Sequence, residues 1–289
     1  MKSKLFFAGR PEKPLVIAHR GARAYAPENT LAAATLAHTV QADAWELDVN
    51  YTRDGKLVVM HDDSLARTTN ITTHPDFAGA PSLRVCDFTL EEIRRLDAGS
   101  WYAQTDPHGR IAAGEMPPSM VQSFTGMAVP TLEEALTLTK SLSWRVNVEI
   151  KNHEHLIGHT RVTKDVLDLI RKMDMVEQVI MSSFQLRYLL EAHTLLPELA
   201  TGALVEGQRP ADAVALCREH YASAYHPDRH LVCPDDLAAL RDAGIAVNIW
   251  TINAMAEAET LTAYAATGMI TDYPAATRAM MLAKGFRSA

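Results

Sequence analysis

The repeating unit of this chain first appears at Leu15-Val16-Ile17-Ala18, a short apolar run that precedes apolar residues at helical spacing over residues 28–40. Comparable apolar runs recur along the chain, and helical patterns separate most of them. Short apolar runs predict buried strands, whereas apolar residues three or four positions apart predict helices. We therefore expect a fold built from strand–helix units.

Eight further runs have the composition of strands, and they cover residues 44–49, 57–60, 145–150, 179–183, 199–205, 222–225, 246–251 and 269–271. Residues 57–60 follow the turn signal Arg53-Asp54-Gly55-Lys56, which predicts a hairpin with the preceding strand. Further helices are expected over residues 131–141, 156–173, 185–193, 210–220, 234–243 and 256–267. Without the hairpin partner, eight strands remain, and their alternation with helices implies a parallel sheet. The chain also lacks the GxGxxG motif of doubly wound sheets, so we predict a (β/α)8 TIM barrel.

Residues 63–129 interrupt this alternation, because Thr, Pro, Gly and Asp are scattered through them and only Thr89-Leu90-Glu91-Glu92 clearly starts a helix. We expect a single domain over residues 1–289, with this segment as an insertion after the second strand and its hairpin partner. At the C-terminal face of a barrel, an insertion of this kind would overhang the active site.

Composition excludes several classes of protein. The 289 residues carry 28 Lys and Arg against 35 Asp and Glu, and a net charge of -7 argues against nucleic acid as a partner. Cys86, Cys217 and Cys233 are too few and too far apart for a disulfide framework. Residues 5–8 form too short an apolar run for a signal peptide, and no run approaches the 18 apolar residues of a membrane span. We expect a cytoplasmic protein.

Polar residues at the strand ends carry the chemistry. His19 and Arg20 follow the first strand, where barrel enzymes keep their catalytic groups, and the planar fork of an arginine matches a phosphate group. A lone histidine in this place more often hydrogen-bonds a loop. His61, followed by Asp62, ends the hairpin partner and brings a second imidazole to the same region. Two imidazoles can serve as a general acid and a general base. For His61 and Asp62, a simple turn at the end of a strand is the alternative interpretation.

Three carboxylates are predicted to point into the barrel. Glu46 and Asp48 lie two residues apart on the second strand, so their side chains share the face opposite the apolar residues around them. Glu149 and Lys151 repeat the pattern on a later strand, and Lys151 is suited to a phosphoryl oxygen. Buried carboxylates are costly unless a cation compensates them, and an all-oxygen ligand set favours Mg²⁺ or Ca²⁺.

Two later residues have less decisive predicted roles. Trp250 ends a late strand, where its ring is expected to form a wall of the cavity for a polyol or a choline-like group. Asp272 follows the last strand, and we expect it mainly to cap the final helix, with Pro274 in the first turn of that helix and with the catalytic cavity as a second contact.

Taken in order, these residues resemble the glycerophosphodiester phosphodiesterase family. The matching motifs are His19-Arg20-Gly21, Pro27-Glu28-Asn29-Thr30, Glu46-Leu47-Asp48, His61-Asp62, Pro130-Thr131-Leu132-Glu133-Glu134, Asn147-Val148-Glu149-Ile150-Lys151, Ser183-Phe184, Trp250-Thr251-Ile252-Asn253 and Thr271-Asp272. Leu65-Ala66-Arg67-Thr68-Thr69-Asn70 and Leu96-Asp97-Ala98-Gly99-Ser100-Trp101 resemble the small insertion of the family. The resemblance covers nearly the whole chain.

The resemblance implies hydrolysis of a glycerophosphodiester, such as glycerophosphocholine or glycerophosphoethanolamine, to glycerol 3-phosphate and an alcohol. It also implies a role for each matching residue: His19 and His61 as acid and base, Glu46, Asp48 and Glu149 as ligands of one divalent cation, Arg20 and Lys151 as phosphate ligands, and Trp250 at the glycerol end. The attacking group is either water or the neighbouring hydroxyl of the glycerol, which would give a cyclic phosphate first.

The chain departs from the compact bacterial pattern in its insertion, where residues 71–81 and 103–129 are longer. A longer insertion suits a bulkier head group, a lysophospholipid or a contact between copies of the chain. A lysophospholipase D-like or other phospholipid phosphodiesterase would need an apolar entrance, for which Leu5-Phe6-Phe7 and residues 116–127 are the candidates. A barrel that binds a phosphate ligand without catalysis is the least favoured alternative, because no histidine or carboxylate of the set is missing.

Overall fold

Eight parallel strands form the wall of a closed barrel. The structure is a computed structural model that describes residues 5–7, 14–154, 156, 160–264 and 266–286. In chain order, the strands are β1 (Leu15–Ala18), β2 (Ala44–Tyr51), β3 (Leu57–Val59), β4 (Val146–Ile150), β5 (Val179–Ser183), β6 (Ala200–Val205), β7 (Ala224–Pro227), β8 (Ala246–Ile249) and β9 (Gly268–Thr271). The barrel closes because β1 pairs in parallel with both β2 and β9. The predicted TIM barrel is confirmed.

The remaining strand, β3, is the antiparallel hairpin partner that the sequence indicates. It pairs with the end of β2, where Val49 lies opposite Val59, while β1 pairs with the beginning of β2, where Ala44 lies opposite Ile17. Since β4 occupies the other edge of β2, the strands β1 and β3 follow one another along the same edge. The residues after β3 are thereby held close to the C-terminal ends of the barrel strands.

The helices are α1 (Leu31–Thr39), α2 (Leu90–Ile93), α3 (Ser100–Thr105), α4 (Pro118–Gln122), α5 (Leu132–Ser141), α6 (Val162–Lys172), α7 (Leu186–Leu195), α8 (Ala213–Glu219), α9 (Pro234–Asp242), α10 (Met255–Ala263) and α11 (Pro274–Ala283). The first helix starts later than predicted because the Thr30 side chain accepts a hydrogen bond from the Ala33 N–H and so caps it. Residues 157–159 and 265, which fall within two predicted helices, lie outside the described part of the chain.

The period of two along each strand separates an outer apolar layer from a polar interior. On β2, Trp45 and Leu47 pack in the large apolar cluster that includes residues of the surrounding helices, whereas Glu46 and Asp48 are buried on the opposite face. The N-terminal end of the barrel is closed by a separate apolar cluster that includes Phe6. The polar groups therefore collect toward the other end.

The insertion is an ordered segment with apolar clusters of its own. One cluster joins Leu65, Ile71 and Phe88 to β3, and the other joins Tyr102, Met116 and Phe124 to the start of α1. Of the candidates for an apolar entrance, Phe6 is buried at the opposite end of the barrel, and Met116 and Phe124 are buried in the second of these clusters. Within the described residues, no helix is long and apolar enough to cross a membrane.

Gly202 on β6 leaves room for a histidine inside the barrel, since a Cβ atom there would lie 2.6 Å from the ring of His226. We expect Gly202→Ala to lower the free energy of unfolding by about 1–3 kcal/mol, the usual cost of overpacking a core. Denaturant unfolding of the single variants and of Gly202→Ala/His226→Ala measures the effect. The double variant should recover part of the loss caused by Gly202→Ala, and equal stability of Gly202→Ala and the wild type would contradict this account.

Candidate active site

A cavity of about 530 Å³ opens at the C-terminal ends of the barrel strands. It is lined by residues of the strands and of the segments that follow them: His19, Arg20, Glu46, His61, Asn147, Glu149, Lys151, Asn152, Phe184, Gln185, Leu204, Glu206, Trp250, Thr251 and Ile270. Seven of the eight predicted site residues are in this set. The eighth, Asp48, is buried and belongs to the carboxylate cluster at the cavity wall.

Glu46, Asp48 and Glu149 converge as predicted. Each offers a carboxylate oxygen, and these three atoms lie within 4.8 Å of one another. The register of the barrel accounts for this convergence, since Asp48 on β2 lies beside Glu149 on β4. Burial raises the pKa of Glu46 well above its usual range, and the charges of Asp48 and Glu149 raise it further.

Two cations compensate part of this negative charge. Arg20 Nε lies 3.3 Å from Asp48 Oδ2, and Lys151 Nζ lies 2.7 Å from Glu149 Oε1 and 3.5 Å from Asp48 Oδ1. Although burial acts in the opposite direction, Arg20 and Lys151 hold the pKa of Asp48 well below its usual range. Asn29 Nδ2 also donates a hydrogen bond of 2.8 Å to Asp48 Oδ2. Asp48 is therefore a permanent anion beside Glu46.

The carboxylate cluster fits a hard divalent cation. Glu46 Oε2 accepts a hydrogen bond from the Arg20 N–H, but the buried Oε1 atom has no hydrogen-bond partner among the described residues. A buried carboxylate oxygen without a partner is costly, and a metal ion would satisfy it. The ligand atoms of the cluster are all oxygens, which Mg²⁺ and Ca²⁺ prefer.

His19 is oriented by Asp272, the residue that follows the last barrel strand. Its Nδ1 atom lies 2.7 Å from Asp272 Oδ1, while Asp272 Oδ2 accepts a hydrogen bond of 2.8 Å from Asn253. Asp272 therefore does not cap the final helix as expected: Tyr273 is the N-cap residue and makes no side-chain cap bond, although Pro274 does lie in the first turn. Burial and the neighbouring Arg20 charge lower the pKa of His19, and Asp272 opposes them.

His61 has an equivalent arrangement at the rim. Its Nδ1 atom lies 2.6 Å from Asp62 Oδ1, and the Asp62 carboxylate is in turn bound by Arg67. An ionised carboxylate can only accept, so Nδ1 donates in both histidines and each Nε2 is left as the basic nitrogen. The two imidazoles are thus prepared for proton transfer at Nε2.

A buried carboxylate, Glu28, joins the two histidine systems. It accepts hydrogen bonds from Arg20 Nη1 at 2.7 Å and from Arg67 Nη2 at 2.7 Å, and Arg23 Nη2 lies 3.3 Å away. Despite its burial, these arginines hold the pKa of Glu28 well below its usual range. The sequence marked Glu28 only as part of a motif, because an acid just before a helix resembles an ordinary first-turn residue.

Trp250 forms part of the cavity wall, as predicted. Its ring lies edge-on to Phe184 with 5.6 Å between ring centroids, and its Nε1 atom donates to the His226 carbonyl oxygen at 2.9 Å. Asn147, which the period of two places on the same face of its strand as Glu149, also lines the cavity. Its amide nitrogen and oxygen are both buried without a hydrogen-bond partner among the described residues. The interior therefore offers unused polar groups beside the carboxylates.

Comparison with known proteins identifies this barrel. Residues 19–276 match the model of the glycerophosphoryl diester phosphodiesterase family. The chain belongs to this family. It is 34% identical to the glycerophosphodiester phosphodiesterase of Caldanaerobacter subterraneus subsp. tengcongensis over 91% of this chain and 95% of that one. It is 32% identical to the Bacillus subtilis enzyme of that name over 91% of this chain and 85% of the relative.

The similarity extends to solved glycerophosphoryl diester phosphodiesterase folds. A phosphodiesterase from Oleispira antarctica, solved in complex with the product sn-glycerol-3-phosphate, superimposes with a TM-score of 0.77 at 27% identity, over 93% of this chain and 97% of that chain. The family resemblance that the sequence motifs indicate is confirmed.

The raised pKa of Glu46 makes its ionised form destabilising in the absence of a metal ion. We expect Glu46→Gln to raise the thermal unfolding midpoint in chelator at neutral pH, because glutamine keeps the shape and removes the charge. The wild type should lose this disadvantage progressively as the pH falls through and below 4.5, the ordinary pKa of a glutamate, because Glu46 then becomes protonated in the unfolded state as it already is in the folded state.

The matched control for this measurement is Glu198→Gln. Glu198 is exposed and lies just before the start of β6, at the end of the barrel away from the cavity. It should leave the midpoint unchanged in chelator. A lower midpoint for Glu46→Gln than for the wild type at neutral pH would show that ionised Glu46 does not destabilise the metal-free protein.

Proposed function

We propose that this protein is a metal-dependent phosphodiesterase that hydrolyses glycerophosphodiesters, such as glycerophosphocholine and glycerophosphoethanolamine, to glycerol 3-phosphate and an alcohol. One observation carries the proposal: in a member of this family, a buried carboxylate cluster and two carboxylate-oriented histidines border the same cavity. A phosphodiester placed there would meet positive charge and two proton-transfer groups at once.

Glu46, Asp48 and Glu149 would hold one divalent cation, Mg²⁺ or Ca²⁺. When bound, the cation would neutralise charge on the phosphoryl oxygens and act as a Lewis acid. The orphan Glu46 Oε1 atom and the all-oxygen ligand set support this assignment. Because Arg20 and Lys151 already compensate Asp48 and Glu149, the cluster would be held together before the cation binds.

Arg20 and Lys151 would bind the phosphate group of the substrate. Both line the cavity. The neighbouring carboxylates Asp48 and Glu149 raise the pKa of Lys151 despite its burial, so this side chain stays protonated. Cations fixed before the substrate arrives stabilise developing charge without reorganisation. Trp250, held by its bond to the His226 carbonyl, would border the glycerol end of the pocket.

His19 and His61 would be the general acid and base. One Nε2 would take the proton from the attacking hydroxyl while the new P–O bond forms. Attack by water gives glycerol 3-phosphate directly, whereas attack by the neighbouring glycerol hydroxyl gives a cyclic phosphate that water then opens in a second step. The other histidine, protonated on both nitrogens, would donate its Nε2 proton to the alkoxide oxygen as the bond of that oxygen to phosphorus breaks. Asp272 and Asp62 keep Nδ1 protonated, so that each Nε2 can perform its part.

The proposal also includes the organisation and location of the protein. The insertion shares apolar clusters with β3 and α1, which supports a single domain over residues 1–289. The free cysteines Cys86, Cys217 and Cys233 are consistent with the reducing cytoplasm. The exposed part of the insertion is a candidate contact between copies of the chain.

The activity is tested by release of glycerol 3-phosphate from glycerophosphocholine and glycerophosphoethanolamine. We expect release with Mg²⁺ or Ca²⁺ and none with a chelator, and a loss of about 10²- to 10⁴-fold in kcat for His19→Ala and for His61→Ala. Glu149→Ala should abolish the metal-dependent rate, whereas the surface control Glu198→Gln should match the wild type.

A parallel assay with a micellar lysophospholipid separates the alternative phospholipid activity. Turnover of the lysophospholipid without turnover of either soluble diester would replace the proposed substrate. Metal binding without turnover of any of these substrates would instead indicate a non-catalytic binding protein.

A further inference from the structure

Arg67 belongs to the insertion, yet its guanidinium lies between two carboxylates of the catalytic region. Its Nε and Nη2 atoms donate to Asp62 Oδ2 at 2.6 Å and Oδ1 at 3.0 Å. Its Nη1 and Nη2 atoms donate to Glu28 Oε2 at 3.0 Å and Oε1 at 2.7 Å. Two edges of the planar guanidinium are therefore each used for a bidentate contact.

The two carboxylates have different supports. Glu28 is buried and is also bound by Arg20 and Arg23, which follow β1, so it is a fixed anion on the barrel. Asp62 is about one-quarter exposed, and its Oδ1 atom is the partner of His61 Nδ1. Arg67 thus connects the partly exposed Asp62 to the buried Glu28 through one planar group.

We propose that the Arg67–Glu28 contact is a positioning bridge, through which the insertion fixes Asp62 and thereby the orientation and tautomer of His61. The inference rests on the proposed function, in which His61 transfers a proton. Arg67 does not line the cavity, so it is a positioning residue and makes no contact with the substrate. Residues 63–129 contribute no side chain to the lining of the cavity, so the insertion would act on the catalytic centre through Asp62.

Arg67→Ala should lower kcat on glycerophosphocholine by about 100-fold while KM changes little. A loss of this size is what a displacement of a catalytic group such as the His61 imidazole by about 1 Å can cause. Arg67→Lys should remain impaired, because an ammonium group cannot make both bidentate contacts. The matched control is Arg53→Ala, which removes a half-exposed arginine that pairs with Glu92 outside the cavity.

Guanidinium chloride at low, non-denaturing concentration provides a chemical test of the bridge. The Arg67 side chain is 41% exposed, so a free guanidinium ion can reach the gap left by Arg67→Ala. We expect it to restore part of the lost kcat in Arg67→Ala and to have no such effect on the wild type or on Arg53→Ala. Urea at the same concentration, which lacks the charge, should not restore activity.

Histidine labelled with ¹⁵N gives a readout that does not depend on turnover. In the wild type, the neutral form of His61 should be protonated at Nδ1, and in Arg67→Ala it should become a mixture of tautomers. The bridge requires both the rescue of kcat and this change of tautomer; the absence of either overturns it. If the wild type hydrolyses no glycerophosphodiester, the proposed function fails, and the tautomer comparison alone decides whether the bridge exists.

Discussion

The burial of three carboxylates inside one end of a barrel is the constraint on which the rest of this structure depends. Glu46, Asp48 and Glu149 would repel one another strongly in a medium of low dielectric constant, so the fold must supply positive charge close to them. Arg20 and Lys151 do this from the loops that follow β1 and β4. The compensation is incomplete at Glu46, whose buried Oε1 atom has no hydrogen-bond partner among the described residues, and this is the atom that the proposed cation would satisfy.

The barrel could be predicted from the sequence because each of its strands is recognised from a short run of neighbouring residues. Strands such as β1 and β5 have the predicted bounds, since a buried parallel strand is a short apolar run with clear ends. The inward direction of Glu46 and Asp48 follows from the period of two alone. The interior of the insertion could not be predicted in this way, because its apolar clusters join residues from short 3₁₀ and α-helical turns, which have no period to recognise.

The site divides in the same way. The residues predicted for the site lie on barrel strands or directly after strands, where the sequence pattern indicates them, whereas several groups that hold them in place come from distant parts of the chain. Asp272 is 253 residues from His19, and its position two residues before a helical proline is typical of a capping residue. Glu28 is 39 residues from Arg67. No pattern over neighbouring residues reports such contacts, and only the closed barrel brings them together.

The two histidines therefore have different structural origins. His19 stands on the seam where β1 pairs with β9, and the same pairing brings Asp272 to it, so closure of the barrel is sufficient to orient this imidazole. His61 lies after the hairpin strand β3, outside the barrel wall, and its partner Asp62 is held by an arginine of the inserted segment. One imidazole thus depends on the barrel and the other on the ordering of the insertion. If both imidazoles transfer protons as proposed, the insertion has to be folded whenever the site is competent, because the Arg67 contact with Glu28 is what holds Asp62 beside His61.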